Sequence, residues 1–267
     1  MTLKSPPQSY EPQEVELERI AHALPGAAPD LKLDLPLEFF HVTVPQPCPY
    51  LPGRFERKLV TRLDGRSVRE RHDRLSQAGF RRTRDLVYSP ACSGCTACIP
   101  IRVRAQEFAP SRSLRRIQRL NADLLVRERA AEASEEQYAL FAAYLGARHA
   151  GGDMTRMDYA DYRAMVEDSP IDTRLIELRR PDMRLIAVCL TDFLSDGLSA
   201  VYKFFDPGES RRSLGTHAVL WLIKRAQELG LPYLYLGYWI PGSEKMAYKN
   251  RFRPFETLVK GTWQRHD

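Results

Sequence analysis

Cys92, Cys95 and Cys98 stand at C-x-x-C-x-x-C spacing within Tyr88 to Arg102, YSPACSGCTACIPIR. Pro90, Gly94 and Pro100 break that stretch into a loop, and gaps of two residues let successive thiolates turn toward one centre. Thiolates so placed suit a soft metal, as zinc or as an iron–sulfur cluster. Such a site takes four ligands, and Cys48, in the proline-bent segment PQPCPYLPGR, is the candidate fourth. A cluster of buried or redox-active thiols without metal fits the same spacing. The fifth cysteine, Cys189, falls between Val188 and Leu190 in an apolar run and is assigned to the core.

Arginine is the second chemical signature. Between Arg54 and Arg129 there are 19 Arg or Lys against 8 Asp or Glu, whereas the whole chain carries a net charge of only +6. Nearly all of these cations are arginine, whose planar fork matches phosphate and carboxylate. They cluster in RSVRERHDRL, GFRRTR and SRSLRRIQRL. A basic half of this kind points to a polyanion, nucleic acid above all. A solvated, salt-bridged surface is the alternative.

The elements that must position these groups follow from the pattern of the chain. Its 267 residues, 43% of them hydrophobic, suffice for a core and two subdomains. No apolar run is long enough to span a membrane, and the first residues lack the order of a signal peptide. With an odd number of cysteines, this leads to the expectation of a soluble cytoplasmic protein. Residues 1–35 are Pro-rich and acidic and read as a flexible tail. A basic domain carrying the cysteine loop is expected over 36–130. Ser67, with Glu70 three residues on and Gly79 beyond, marks a helix within it. IPIRVRAQEF reads as a strand leaving the loop. A second helix starts at Ser134, where Gln137 completes a capping box.

After a helical linker over 131–170 the texture changes. TRLIELRR, RLIAVCLTDFL and LSAVYKFFDP read as three antiparallel strands, SLGTHAVLWLIKRAQELG as a helix, and LPYLYLGYWI as a buried strand. The expected class is α/β (α+β), with this domain over 131–267. The order resembles the core of the GCN5-related acyltransferases, a fold that places an acyl donor at the helix N-terminus between splayed strands. Coenzyme A users of that fold carry a Gly-rich turn there. RRSLGTHA has only Gly215, so the turn argues against that donor.

CPYLPGR, GFRRTRDLVYSPACSGCTACIPIRV, SAVYKFFDP, the helix–strand segment above and KMAYKNRFRPFE together resemble the bacterial aminoacyl-tRNA–protein transferases, relatives of the eukaryotic arginyltransferases. The similarity runs from about residue 35 to 262 and is strongest to the branch that transfers leucine. It implies movement of leucine from leucyl-tRNA to the N-terminal Asp or Glu of a protein, which marks that protein for N-degron degradation. Arginine as the transferred residue, an acetyl-CoA-dependent acyltransferase and a non-enzymatic RNA-binding protein are the alternatives. In the eukaryotic relatives cysteines of this region hold a metal or iron–sulfur centre, with two cysteines in the first motif where this chain has Cys48 and Leu51.

Aminolysis of an activated ester requires no strong nucleophile from the protein, and no cofactor for the transfer itself. Positioning, a proton acceptor and oxyanion donors suffice. Tyr202, Asp206 and Lys245 are the candidate catalytic groups, with His217 a further candidate base at the helix entry. Arg81 and Arg82 are the candidate clamp for the acceptor carboxylate, Arg84 a third option. Arg211, Gly215, Thr216, Tyr235, Tyr238 and Tyr248 are the candidate donor-binding residues, the tyrosines as stacking partners for the terminal adenosine.

Overall fold

Alternating apolar residues in three successive runs produce the centre of the molecule. The computed structural model describes residues 39–148 and 151–267, so the tail expected over 1–35 lies outside the described residues. The strands are β1 (His41–Val42), β2 (Gln46–Pro47), β3 (Phe55–Glu56), β4 (Lys58–Arg62), β5 (Arg81–Thr83), β6 (Leu86–Pro90), β7 (Ile99–Arg104) and β8 (Leu125–Ala130), then β9 (Thr173–Arg179), β10 (Leu185–Phe193), β11 (Gly197–Phe205), β12 (Tyr233–Trp239), β13 (Phe255–Val259) and β14 (Thr262–His266). The helices are α1 (Val68–Gln77), α2 (Arg112–Leu120), α3 (Glu135–Arg148), α4 (Tyr159–Glu167), α5 (Leu214–Glu228) and the short α6 (Glu244–Ala247).

Eight strands form one sheet in the order β14-β13-β7-β12-β11-β10-β9-β8. β10 is buried on both faces except at its last residue, as its near-continuous apolar run requires. Ile186 and Cys189 join a core under α5, with Val219, Leu222, Ile223 and Ala226 from that helix. Val188 and Leu190 face a second core built with Phe141 of α3 and Tyr162 of α4. The antiparallel order β9-β10-β11, the helix α5 and a β12 parallel to β11 are the arrangement expected from the acyltransferase resemblance.

Two local expectations are met to different degrees. The capping box at α3 is formed, Ser134 Oγ accepting from Gln137 N–H at 3.3 Å and Gln137 Oε1 from Ser134 N–H at 3.1 Å. At α1, Ser67 precedes the helix with φ 58° and makes no side-chain cap.

The division at residue 130 is corrected by the sheet. β7, read as part of the basic domain, is an interior strand that pairs with β12 on one side and β13 on the other. Its partners lie more than 100 residues away, and nothing local in IPIRVR names them. β8, at the end of the same segment, is the edge strand of the large sheet, while β1, β4, β6 and β5 form a small sheet of order β1-β4-β6-β5 and β2 pairs with β3.

A buried ion pair joins the small sheet to the large one. Arg82, on β5, donates through Nε and Nη2 to both oxygens of Asp192 on β10, at 2.8 and 2.6 Å. Asp192 is fully buried, and Thr173 Oγ1 donates to it as well. His72 from α1 lies 3.7 Å from the same carboxylate, and burial holds its imidazole below the ordinary range. A bidentate pair fixes the orientation of β5 on the sheet, and removing one partner strands a buried charge. Asp192→Asn or Arg82→Met should therefore lower the free energy of unfolding in urea by about 3–5 kcal/mol. A loss under about 1 kcal/mol in both would show that the pair does not hold the two sheets together.

Candidate active site at a strand splay

β11 and β12 pair only from Gly197–Ser199 to Tyr233–Tyr235 and then part. Backbone carbonyls that leave a ladder in a buried place need new donors. Arg81 supplies them on one side: its Nη2 donates to Ala200 O at 3.1 Å and Val201 O at 2.6 Å, where β11 also bulges against β10. The guanidinium lies so close over Gly237 on β12 that a Cβ there would collide with it. Gly237 has φ 72°, so both the bend and the close approach require glycine. Lys249, 7% exposed, donates to Tyr238 O on β12 at 2.6 Å, opposite Pro100, which has no N–H to give. Burial, with Arg81 and Lys203 nearby, pushes the Lys249 ammonium well below the ordinary lysine range.

Further along the splay a polar pair faces the amino end of α5. Lys203, on β11, donates to Gly215 O at 3.0 Å and to Tyr248 Oη at 2.9 Å. A Cβ on Gly215 would stand 3.0 Å from the Phe205 ring, so the lone glycine of RRSLGTHA serves this close packing. Ser213 enters the helix with φ 52° and no side-chain cap, which leaves the first amides of α5 to other partners. Beside this pair Tyr144 packs edge-on to Phe205 at 4.9 Å, and the Arg148 guanidinium lies 5.8 Å from the Phe205 ring. Tyr202 continues the aromatic wall toward Phe141. Its hydroxyl is pushed up by burial and by Tyr144 and Tyr50, and Tyr50 is itself raised to about 12, chiefly by burial.

The structure thus gathers Tyr202, Gly215 and Tyr248 from the expected set and disperses others. Arg81 and Arg82 are placed otherwise than expected: the first donates through Nη2 to the splay carbonyls and the second is buried against Asp192. The cavity left beside Arg81 is about 10 Å³, space for no more than a water. Asp206 is a turn former, accepting from Gly208 N–H at 2.8 Å and pairing with Arg184 at 3.4 Å. Lys245 is exposed on α6, and the lysine that bonds Tyr248 Oη is Lys203. Tyr235 is held between Arg102 and Asp196, and the Tyr238 hydroxyl reaches Gly79 O and Tyr88 O. Both rings brace strands and offer no free stacking face. Thr216 follows Gly215 in the first turn, and Arg211 is exposed on the turn before α5. His217 is buried, its Nδ1 without a hydrogen bond among the described residues, and burial lowers it to about 4.

Lys203, Lys249 and Arg148 lie outside the set of residues expected at the site. A signal existed for the first, since a lysine amid the aromatics of AVYKFFDP needs a reason to be there.

The cysteine loop lies near the splay. Cys98 is raised to about 11, first by burial and then by Cys48, Cys92 and Cys95, so the four thiols share one neighbourhood. Cys95 accepts from the Arg54 guanidinium at 3.3 Å and Cys92 from Arg57 N–H at 3.4 Å. The Ala97 N–H, and then Arg54, draw the Cys95 thiol down. Among the described residues no three Cys, His, Asp or Glu side chains converge as ligands to one ion.

Residues 46–116 match the family model described as arginine-tRNA-protein transferase, N terminus, and residues 136–259 match its C terminus. The chain is 53% identical over 227 residues to the aspartate/glutamate leucyltransferase of Paramagnetospirillum magneticum, covering 85% of this chain and 93% of that one. It is 54% identical to the protein of the same name from Parvibaculum lavamentivorans, covering 85% and 94%. Among solved structures, FemX superposes with a TM-score of 0.40 at 11% identity, over 68% of this chain and 63% of that one. L-PGS from Bacillus licheniformis gives 0.43 at 12% identity, over 53% and 45%.

The state of His217 has a thermodynamic consequence. Below 6.5 the unfolded chain takes up a proton that the native imidazole accepts only near 4. Stability therefore falls as pH drops through that window, by up to about 3 kcal/mol from this residue. His217→Gln should flatten the acid limb of a urea-unfolding series by that amount, leaving the share due to His72. An unchanged limb would mean that His217 is protonated in the folded protein.

Proposed function

The chain belongs to the arginine-tRNA-protein transferase family, and from that premise we infer that it transfers leucine from leucyl-tRNA to the N-terminal Asp or Glu of acceptor proteins. The observation that carries this is identity above 50% over almost the full length of relatives that bear the leucyltransferase name. The added leucine then marks the acceptor for N-degron degradation.

The splay supports an aminolysis without a protein nucleophile. The acceptor α-amine has an ordinary pKa near 8 and is partly neutral at working pH. It attacks the carbonyl of the leucyl ester, the tetrahedral oxyanion forms, and the tRNA 3′-terminal ribose oxygen leaves with a proton. Lys203 and Tyr248, hydrogen-bonded to each other at the amino end of α5, are the donors placed to stabilise that oxyanion. The positive end of the helix dipole adds to them. Tyr144, Phe205 and Tyr202 make an aromatic wall suited to an apolar leucyl side chain. With Arg81 and Arg82 engaged elsewhere, exposed Arg148 beside Phe205 is the cation assigned to the acceptor carboxylate. The partners assigned, from the family and its leucyltransferase relatives, are leucyl-tRNA and the acceptor protein.

Purified protein, tRNA charged with labelled leucine or arginine, and peptides beginning with Asp, Glu or Ala test this reading. Label should pass from leucyl-tRNA to the Asp and Glu peptides alone. Passage from arginyl-tRNA would change the donor assignment, and passage to Ala peptides the acceptor assignment. Lys203→Met should lower kcat by about 10²-fold with an unaltered melting temperature. Arg148→Ala should raise KM for the acidic peptides while leaving KM for leucyl-tRNA in place, and the reverse pattern removes Arg148 from the acceptor site.

A further inference from the structure

Arginine in this fold is as a rule paired with acid. Arg174 pairs with Asp172 and Glu128, Arg179 with Glu136 and Glu177, Arg184 with Glu209, Arg212 with Asp123, and Arg225 with Glu128. Helix α2 departs from that rule. Arg112, Arg116 and Arg119 recur at i, i+4 and i+7, so they project from one face, and all three are exposed. Among the described residues none of them has an ion-pair partner, and the helix contains no acidic residue. Arg115, on the same side, donates to Pro110 O. The opposite face is apolar, with Leu114 buried and Ile117 packed against the core under α5.

This arrangement works against the helix itself. Like charges at i and i+4 repel, and Arg112 places a cation in the first turn, at the positive end of the dipole. An external polyanion relieves both. The direction of the stripe says which one. The carboxyl end of α2 is tied to the turn before α5: Asn121 Nδ2 donates to Arg212 O at 2.8 Å, and Arg212 Nη1 to Leu120 O at 3.2 Å. Exposed Arg211 precedes Arg212. The stripe, about 10 Å from Arg112 to Arg119, therefore leads onto the amino end of α5, beside Lys203 and Gly215.

We propose that this face of α2, with Arg211, holds the phosphate backbone of the tRNA acceptor arm whose aminoacylated 3′ end enters the splay. The assignment rests on the aminoacyl-tRNA reading above and adds to it the surface that carries the tRNA body. Arginine, as an exposed fork, binds phosphate bidentately without reading sequence, as contacts to a helical stem require.

The test compares the full-length protein with Arg112→Gln/Arg116→Gln/Arg119→Gln, three exposed positions, and checks folding by melting temperature. In the variant, KM for leucyl-tRNA should rise at least ten-fold while kcat at saturation and KM for the acceptor peptide hold. The slope of log Kd against log salt for tRNA should flatten by close to three, since each of the three lost phosphate contacts removes nearly one released counterion. An unchanged KM and salt slope overturns the proposal, as does a rise confined to the KM for acceptor peptide, which would make α2 an acceptor-protein surface. A wild-type protein that transfers no leucine from leucyl-tRNA would instead remove the premise. If the triple variant loses its fold, Arg116→Gln alone should still flatten the slope by close to one, and failure of that too sinks the idea.

Discussion

The parting of β11 from β12 is the constraint on which the rest of the molecule depends. Two strands cannot separate inside a folded domain unless something satisfies the groups they release. Here the donors are cations, Arg81 on the Ala200 and Val201 carbonyls and Lys249 on the Tyr238 carbonyl. Arg81 comes from the small sheet, so the splay exists only when that sheet is docked. Arg82, the next residue, faces the other way and anchors the docking through Asp192. One dipeptide thus performs both tasks, which explains why adjacent arginines on a three-residue strand are half-buried and buried.

The same constraint shapes the electrostatics of the site. Arg81, Lys203 and Lys249 crowd one region and bond to carbonyls and a phenol. Concentrated positive charge beside an aromatic wall suits an oxyanion of the kind proposed for the transfer. Lys249 is driven below the usual lysine range, first by burial and then by Arg81 and Lys203, and its ammonium is bound to the Tyr238 carbonyl. Coenzyme A is disfavoured on two counts. The glycine of the turn serves the Phe205 ring, and the inner part of the splay is occupied by Arg81.

Arginine serves three distinct ends in this chain. Some are buried structural forks, as Arg82 is. Many are satisfied by acids at the surface of the large sheet. A few, on α2 and at Arg148, stand exposed. Composition sums these classes into one basic half.

Periodicity and local chemistry suffice for what is local. The runs TRLIELRR, RLIAVCLTDFL and LSAVYKFFDP, the apolar face of α5 and the Ser134–Gln137 box were legible because each depends on neighbours within a few residues. The same holds for Cys189 as core. The family, too, is carried by contiguous motifs such as GFRRTRDLVYSPACSGCTACIPIRV. Which arginine meets a carbonyl, which meets a carboxylate and which meets solvent was decided only by tertiary structure. Arg81 and Ala200 are separated by 119 residues, and Arg82 and Asp192 by 110. Side-chain type states what a group is able to bond. Only the packing of distant strands decides which partner it finds, because an interior must satisfy every polar group with whatever the fold brings alongside.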